Sequence, residues 1–401
     1  MNVQTSNIAL KKEIKGLIDL LIKNGTVINS GLSIEISEEG GISLHLRRPA
    51  GRSKPLIRLK SEHMISAAAL NTCLRGDSFE IDPDRRLLNP LQIEIGTRII
   101  EIYNAAGKVA LHKGENPWIQ YRGSPHLLEL LLSSLHLGKV KEEKLSFIRG
   151  SQEQSGVNEF VVQTFMESRV LSRQAEDTGK QQQVIMPILD YLDHDYRGSP
   201  YDFSSPYGGG DLRVFCRQPY IWSQECYANY GRIDAVDTFV NYGFIDREGP
   251  FVRSIPLEIE IGDRGKLTIH SLQATRMNSE ETPKTLRDIQ FLLPDWRRDE
   301  SGEYILSHIF VTTGSYPYAT RRIIKWIIED MTRDSIDQKF VAEQTAAAEK
   351  KIVDANVAYY ERILIGLDHD EKADSGLKNR IRQLVETQLN KLFKYSISEK
   401  L

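Results

Sequence analysis

Two Asn-Tyr-Gly tripeptides, Asn229-Tyr230-Gly231 and Asn241-Tyr242-Gly243, stand a dozen residues apart, the second followed by Phe244. Glycine lets a backbone approach a ligand closely, and tyrosine adds a flat apolar wall with one hydroxyl. The pair therefore reads either as the lining of a small-molecule pocket or as two strand ends closed by aromatic plugs. Upstream lies Pro187-Ile188-Leu189-Asp190-Tyr191-Leu192-Asp193-His194-Asp195. Asp193, His194 and Asp195 have metal-ligand chemistry, but adjacent side chains point apart and no H-x-x-x-H or H-E-x-x-H partner exists, so no metal is assigned. Gly208-Gly209-Gly210 has no following Lys-Ser/Thr and is not a phosphate cradle. Trp118, Tyr220 and Trp222 read as core aromatics.

These segments, in this order, resemble the C-terminal half of a SET domain. The branch in question includes the Rubisco large-subunit lysine methyltransferase and the actin histidine methyltransferase. Its pattern runs V-P-x-x-D-x-x-N-H, then G-E-E-x-x-x-x-Y-G, then a short helix, then Y-G-F. The corresponding pieces are Pro187 to His194, Gln224-Glu225-Cys226 to Tyr230-Gly231, and Tyr242-Gly243-Phe244. A helix from Asn158 to Arg173, ending in Val170-Leu171-Ser172-Arg173, looks like the one that closes in V-x-S-R in that family.

The resemblance implies transfer of a methyl group from S-adenosylmethionine to a protein side-chain nitrogen, most simply lysine, with histidine as an alternative. Tyr242 and Tyr230 would be the catalytic tyrosines. Gly41, Ile42, Arg173, Asp193, His194 and Phe244 would bind the cofactor, and Ser172 and Asp190 would support the substrate side. The family's G-x-G appears here as Glu39-Gly40-Gly41-Ile42, with one glycine missing; two adjacent glycines also read simply as a turn. Asp193 stands where the family has Asn. A carboxylate accepts from the cofactor's ammonium, but it cannot donate to the cofactor's carboxylate and it repels it. Arg173 would offset that repulsion through a bidentate contact. A family Asn is also lost to Ala235, and Asp234 reads as the cap of a helix from Ala235 to Asn241. These departures leave room for an adaptor reading, a SET-like fold that binds a protein or peptide without catalysis.

Methyl transfer from a sulfonium to an amine is an in-line displacement that needs no metal. The protein must align nitrogen with methyl carbon, exclude water and present a lone pair. A lysine amine, with a reference pKa of roughly 10.4, arrives protonated; a nearby cation and an apolar channel favour its neutral form. A tyrosine on a rigid turn, with oxygens around the methyl group, suits this work better than a strong general base.

Composition bounds the reading. The chain has 401 residues, 40% hydrophobic, with a net charge of −3, which argues against a general nucleic-acid binder. Three cysteines without paired spacing fit a reducing, cytoplasmic setting and no disulfide framework. No long apolar run suggests a signal peptide or a membrane span.

The expected fold class is α+β: a β-rich SET core split by a helical insert, then a mostly helical C-terminal domain. Residues 1–66 would hold a first helix, Leu10 to Lys23, and strands around Ser33–Ile36 and Ile42–Leu46. Residues 67–180 would form the insert, with a leucine-rich helix from Leu127 to Leu137 and a polar loop from Gln174 to Gln183. Residues 181–250 would carry the cofactor and catalytic motifs. Residues 251–401 would open with strands near Ile255–Ile261 and Lys266–His270. They would close with two long helices whose seams are Val353, Val357, Tyr360, Leu364, Leu367 and Leu377, Ile381, Leu384, Leu389, Leu392. A protein or peptide would be the partner.

Overall fold

The architecture is that of a computed structural model. It describes the chain except residues 49–53, 123–124, 134–137, 151–152, 175–180, 205–209, 217–223, 272–282, 299–302, 315, 317, 333–336, 370–374 and 399–401. Tyr220, Trp222, Gly208 and Gly209 lie outside the described residues. The fold is α+β, and the chain forms two compact units, each assembled from two stretches. The first joins Met1–Asn116 to Gln152–Gly231, and the second joins Pro117–Ser151 to Arg232–Leu401.

In the first unit, the helix Ile8–Lys23 begins where the Asn7 side chain accepts from the Leu10 amide, and buries Leu10, Ile14, Leu17, Ile18 and Leu21. That three-and-four spacing is the apolar stripe the sequence shows. The hairpin Leu32–Ile36 with Ile42–Leu46 lies in a four-stranded sheet between Asn2–Gln4 and Gln224–Glu225. Its turn, residues 37–41, closes through the Ser37 amide on the Gly41 carbonyl. Gly40 is required there: its φ is +86°, and a Cβ would stand 2.2 Å from the Ala106 carbonyl oxygen. The helix Pro90–Ala105 starts with a reciprocal Asn89–Gln92 capping box, and after Gly107 the chain enters the helix Lys108–Glu115.

The helix expected to run to Arg173 is shorter. It spans Gln154–Glu167, and Val170–Gln174 is a strand paired antiparallel with Gln181–Ile185. The Ser168 hydroxyl donates to the Phe165 carbonyl at 2.7 Å and closes the helical end. Beyond it the β-branched Val170 opens the strand. The glutamines Gln174 and Gln181–Gln183, expected in a loop, belong to this ladder. Their backbone groups pair regardless of side-chain polarity, with Gln182 opposite Arg173 and Gln183 opposite Ser172.

In the second unit, the strands Leu257–Glu260, Lys266–Ile269, Tyr304–Leu306 and Trp296–Arg298 make one sheet. The helices Ala319–Met331, Gln338–His369 and Ser375–Ser398 pack in succession. Val353, Tyr360, Leu367, Leu377, Ile381, Leu384, Leu389 and Leu392 are buried, as their periodicity predicts, whereas Val357 and Leu364 of the same seam are half-buried. Trp118 is fully buried and its indole donates to the Val240 carbonyl at 2.7 Å, a core role. Among the described residues no helix is long and apolar enough to cross a membrane.

Gly40→Ala combines a left-handed backbone with a backbone clash and should cost at least about 2 kcal/mol. Gly76→Ala, also left-handed but with nothing within 4 Å of the new Cβ, should cost about 1 kcal/mol. Urea unfolding of the two variants checks the order.

Candidate functional site

A short parallel strand pair brings together the residues that the motifs single out in the first unit. The strand Asp193–Ser199 runs parallel to Tyr227–Ala228, with Asp193 opposite Tyr227 and His194 opposite Ala228. The Tyr230 amide donates to His194 Nδ1 at 3.2 Å, and the two rings lie 5.1 Å apart. The Tyr230 hydroxyl donates to the Leu192 carbonyl at 2.6 Å. Asp193, His194 and Tyr230 are thus brought together. The Tyr230 proton is directed into the backbone, so its oxygen presents lone pairs as an acceptor.

Behind this strand pair lies a partly buried charged cluster. The Tyr103 hydroxyl donates to Asp190 Oδ2 at 2.5 Å, and Arg169 Nη1 donates to the Asp190 carbonyl at 3.3 Å. The Arg169 guanidinium also stacks over Phe165, 5.4 Å from the ring centre. Burial raises the Asp190 carboxyl above its usual range, opposed by Arg169 and by the Tyr103 hydrogen bond. Glu225 is raised too, by burial first and by the neighbouring Asp193 carboxylate; the Tyr227 hydroxyl, donating at 2.9 Å, opposes this. Burial, with Arg169, lowers the Lys108 ammonium to about 8, while Asp190 and Asp193 pull the other way.

The remaining cofactor candidates of this unit are placed separately. Gly41 and buried Ile42 form the end of the hairpin turn and the start of its second strand. Ser172 is exposed on the strand Val170–Gln174, and Arg173 donates to Met64 Sδ at 3.3 Å. The guanidinium that shares Asp190 is Arg169, four residues earlier.

Tyr242 and Phe244 belong to the second unit. Tyr242 ends the helix Ala235–Tyr242, whose Asp234–Asp237 capping box is complete, as the position of Asp234 predicts. Gly243, at φ +83°, ends the helix left-handed, with its amide on the Phe239 carbonyl. The Tyr242 and Phe244 rings lie 6.1 Å apart, and Phe244 is 37% exposed. The helix is held from below. Asp234 Oδ2 accepts from the Arg253 amide and from Gln388 Nε2, and Asp237 accepts from Arg253 Nη2 at 2.5 Å. Arg380 reaches the Gly243 carbonyl and stacks on Phe239.

Lys108, Arg169, Tyr103 and Glu225 were not marked as site residues by the sequence. Arg169 immediately precedes the V-x-S-R run, and Glu225 follows the Gln at the second motif, so both had a local signal. Lys108 and Tyr103 had none; a lysine at a helix start ordinarily faces water.

The unfolded chain keeps the Lys108 proton up to about 10.5, and the folded chain releases it at about 8. The unfolded state therefore binds more protons between those values, and this group makes stability rise with pH there, by about 1.4 kcal/mol per unit. Below the folded value the buried charge is a cost. Lys108→Met should lose that rise, so the stability difference in favour of wild type grows from pH about 8 to about 10 in urea unfolding.

No protein-family model matches this chain, and no curated protein matches it. Solved structures resemble it over nearly its whole length. The SET domain of LSMT bound to lysine and AdoHcy is 12% identical, covers 98% of this chain and 92% of its own, and gives a TM-score of 0.42. Rubisco LSMT bound to sinefungin and monomethyllysine is 12% identical, with 97% and 92% covered and a TM-score of 0.40. Rubisco LSMT bound to AdoMet is likewise 12% identical, with a TM-score of 0.39.

Proposed function

We propose that this protein is an S-adenosylmethionine-dependent N-methyltransferase that modifies a protein or peptide, on a lysine side chain. The observation that supports the reading best is the meeting of Asp193, His194 and Tyr230 in the first unit, with Glu225 beside Asp193. Asp193, His194 and Tyr230 are residues that the ordered motifs single out.

The donor set suits the amino-acid end of the cofactor. The carboxyls of Asp193 and Glu225 accept from an ammonium, and Arg173 is the motif's partner for a carboxylate. The turn at Gly41 and Ile42, the His194 backbone and the Phe244 ring serve the rest of the molecule. Bound S-adenosylmethionine supplies a methyl group on a good leaving group. Tyr230, its proton committed to Leu192, offers oxygen lone pairs to polarised C–H or N–H groups. Tyr242, assigned on Tyr242-Gly243-Phe244, holds the acceptor nitrogen in line. Ser172 and Asp190 support the substrate side, Asp190 through the Tyr103 hydrogen bond. Neither tyrosine abstracts a proton strongly; orientation and exclusion of water do the work.

A second reading, a non-catalytic protein- or peptide-binding adaptor, is favoured by one feature. Two carboxyls, Asp193 and Glu225, stand together where the family places an amide.

Calorimetric titration of S-adenosylhomocysteine into the wild-type protein separates the two. Binding at one site per chain is expected, weakened at least about 10-fold in Arg173→Ala. Tyr242→Phe should bind as wild type yet transfer labelled methyl to extract proteins about 100-fold more slowly. Amino-acid analysis of the labelled product should give methyl-lysine; methyl-histidine would move the assignment. Absence of binding by wild type would favour the adaptor.

A further inference from the structure

Lys108 is 6% exposed, on the first turn of the helix Lys108–Glu115. A buried ammonium is costly without partners. Among the described residues, none lies within hydrogen-bond or ion-pair distance of it. The charges around it are Glu115 on its own helix, Arg169 beyond the helix Gln154–Glu167, Asp190 in the turn Leu189–Tyr191, and Asp193 at the start of its strand. Two of these groups are already committed. Asp190 accepts from Tyr103, and Arg169 donates to the Asp190 carbonyl.

Two further features lie beside Lys108. Gly107, which opens its helix, has no side chain to cap the amides of the first turn. The Ala106 carbonyl, two residues before Lys108, is pressed against Gly40 of the hairpin turn. A cation, uncapped amides and an exposed carboxylate at Asp193 thus belong to one neighbourhood. This combination suits a zwitterion, whose carboxylate meets the cation and amides while its ammonium meets Asp193.

We propose that Lys108 binds the carboxylate of the cofactor's amino-acid moiety and so compensates the repulsion that Asp193 introduces. The proposal rests on the methyltransferase reading and adds to it a residue that no motif marks. Lys108 touches the ligand in this arrangement, and Asp193 is its counterpart at the ammonium.

The test is calorimetry with two probes on wild type, Lys108→Met and Lys108→Arg. One probe is S-adenosylhomocysteine. The other is its decarboxylated form, which keeps the ammonium and lacks the carboxylate. Lys108→Met should bind S-adenosylhomocysteine about 10- to 100-fold more weakly, and Lys108→Arg should recover most of that loss. The decarboxylated probe should bind wild type and Lys108→Met within about 3-fold of each other. Undiminished binding of S-adenosylhomocysteine by Lys108→Met would overturn the proposal while leaving the methyltransferase reading in place. Equal loss of both probes would also overturn it, since that marks a structural role. Binding of neither probe by wild type would remove the methyltransferase reading, and this proposal with it.

Discussion

Asp190 is anchored by three contacts, and the strand that follows depends on them. Its carboxyl takes the Tyr103 proton at 2.5 Å, its carbonyl takes Arg169, and its amide reaches back to the Met186 carbonyl. Just before it, Ile188 has φ +70°, an unfavourable conformation for a β-branched residue, costing on the order of 1–3 kcal/mol. Such strain persists only where the surroundings over-determine the backbone. Here Leu189, Tyr191 and Leu192 are all buried, and the Tyr191 amide closes on the Ile188 carbonyl. The short turn reverses the chain and delivers Asp193 and His194 onto the strand that meets Tyr227 and Ala228. Loosening Asp190 would release the turn, and the site's carboxylate would lose its register.

The second unit uses the same device on a helix. Asp234 and Asp237 cap the helix that ends in Tyr242, and the fully buried Arg253, Gln388 and Tyr360 enclose those carboxyls. A buried ion pair adds little net stability, because desolvation offsets its attraction, but removing one partner strands the other charge. Its contribution is positional: the helix can start in only one place, and Gly243 can end it in only one way. The aromatic ring of Tyr242 then leaves the helix at a fixed angle. In both units, a residue singled out by the motifs lies a few positions from an acid whose hydrogen bonds fix the backbone.

Much of this was legible in the sequence, and the reasons differ by residue. The Asp234 cap, the apolar seams of the two last helices and the hairpin strands at Ile34 and Leu44 follow from local rules, spacing and capping, which depend on few neighbours. Of the strand Val170–Gln174, the first four residues read as the end of a helix and Gln174 as the start of a loop. Phe160, Val161 and Phe165 have helical spacing, and nothing in Leu171-Ser172-Arg173 declares that the pattern has ended until Gln181–Ile185 pairs with it. The glutamines were misread for a related reason, since a ladder accepts any side chain. Lys108 and Tyr103 were invisible because their roles come from residues 60 to 90 positions away. A lysine's burial is a tertiary fact.

Asp193 poses the sharpest electrostatic question, because an amide both donates and accepts whereas a carboxylate only accepts. Glu225 changes that comparison. Burial and the Asp193 charge raise its proton affinity, so as pH falls from neutral it takes a proton before ordinary exposed carboxylates do. A protonated Glu225 is a donor, so the pair then both donates and accepts. On the other flank, Lys108 and Arg169 stand against Asp190 and Asp193. A cation entering beside Asp193 would favour the ionised pair and lower the Glu225 proton affinity. A zwitterion would do so less, because its carboxylate would bring back part of the repulsion. Asp193 is therefore not isolated. It stands beside a second carboxyl, Glu225, and in the field of a mostly buried lysine, Lys108.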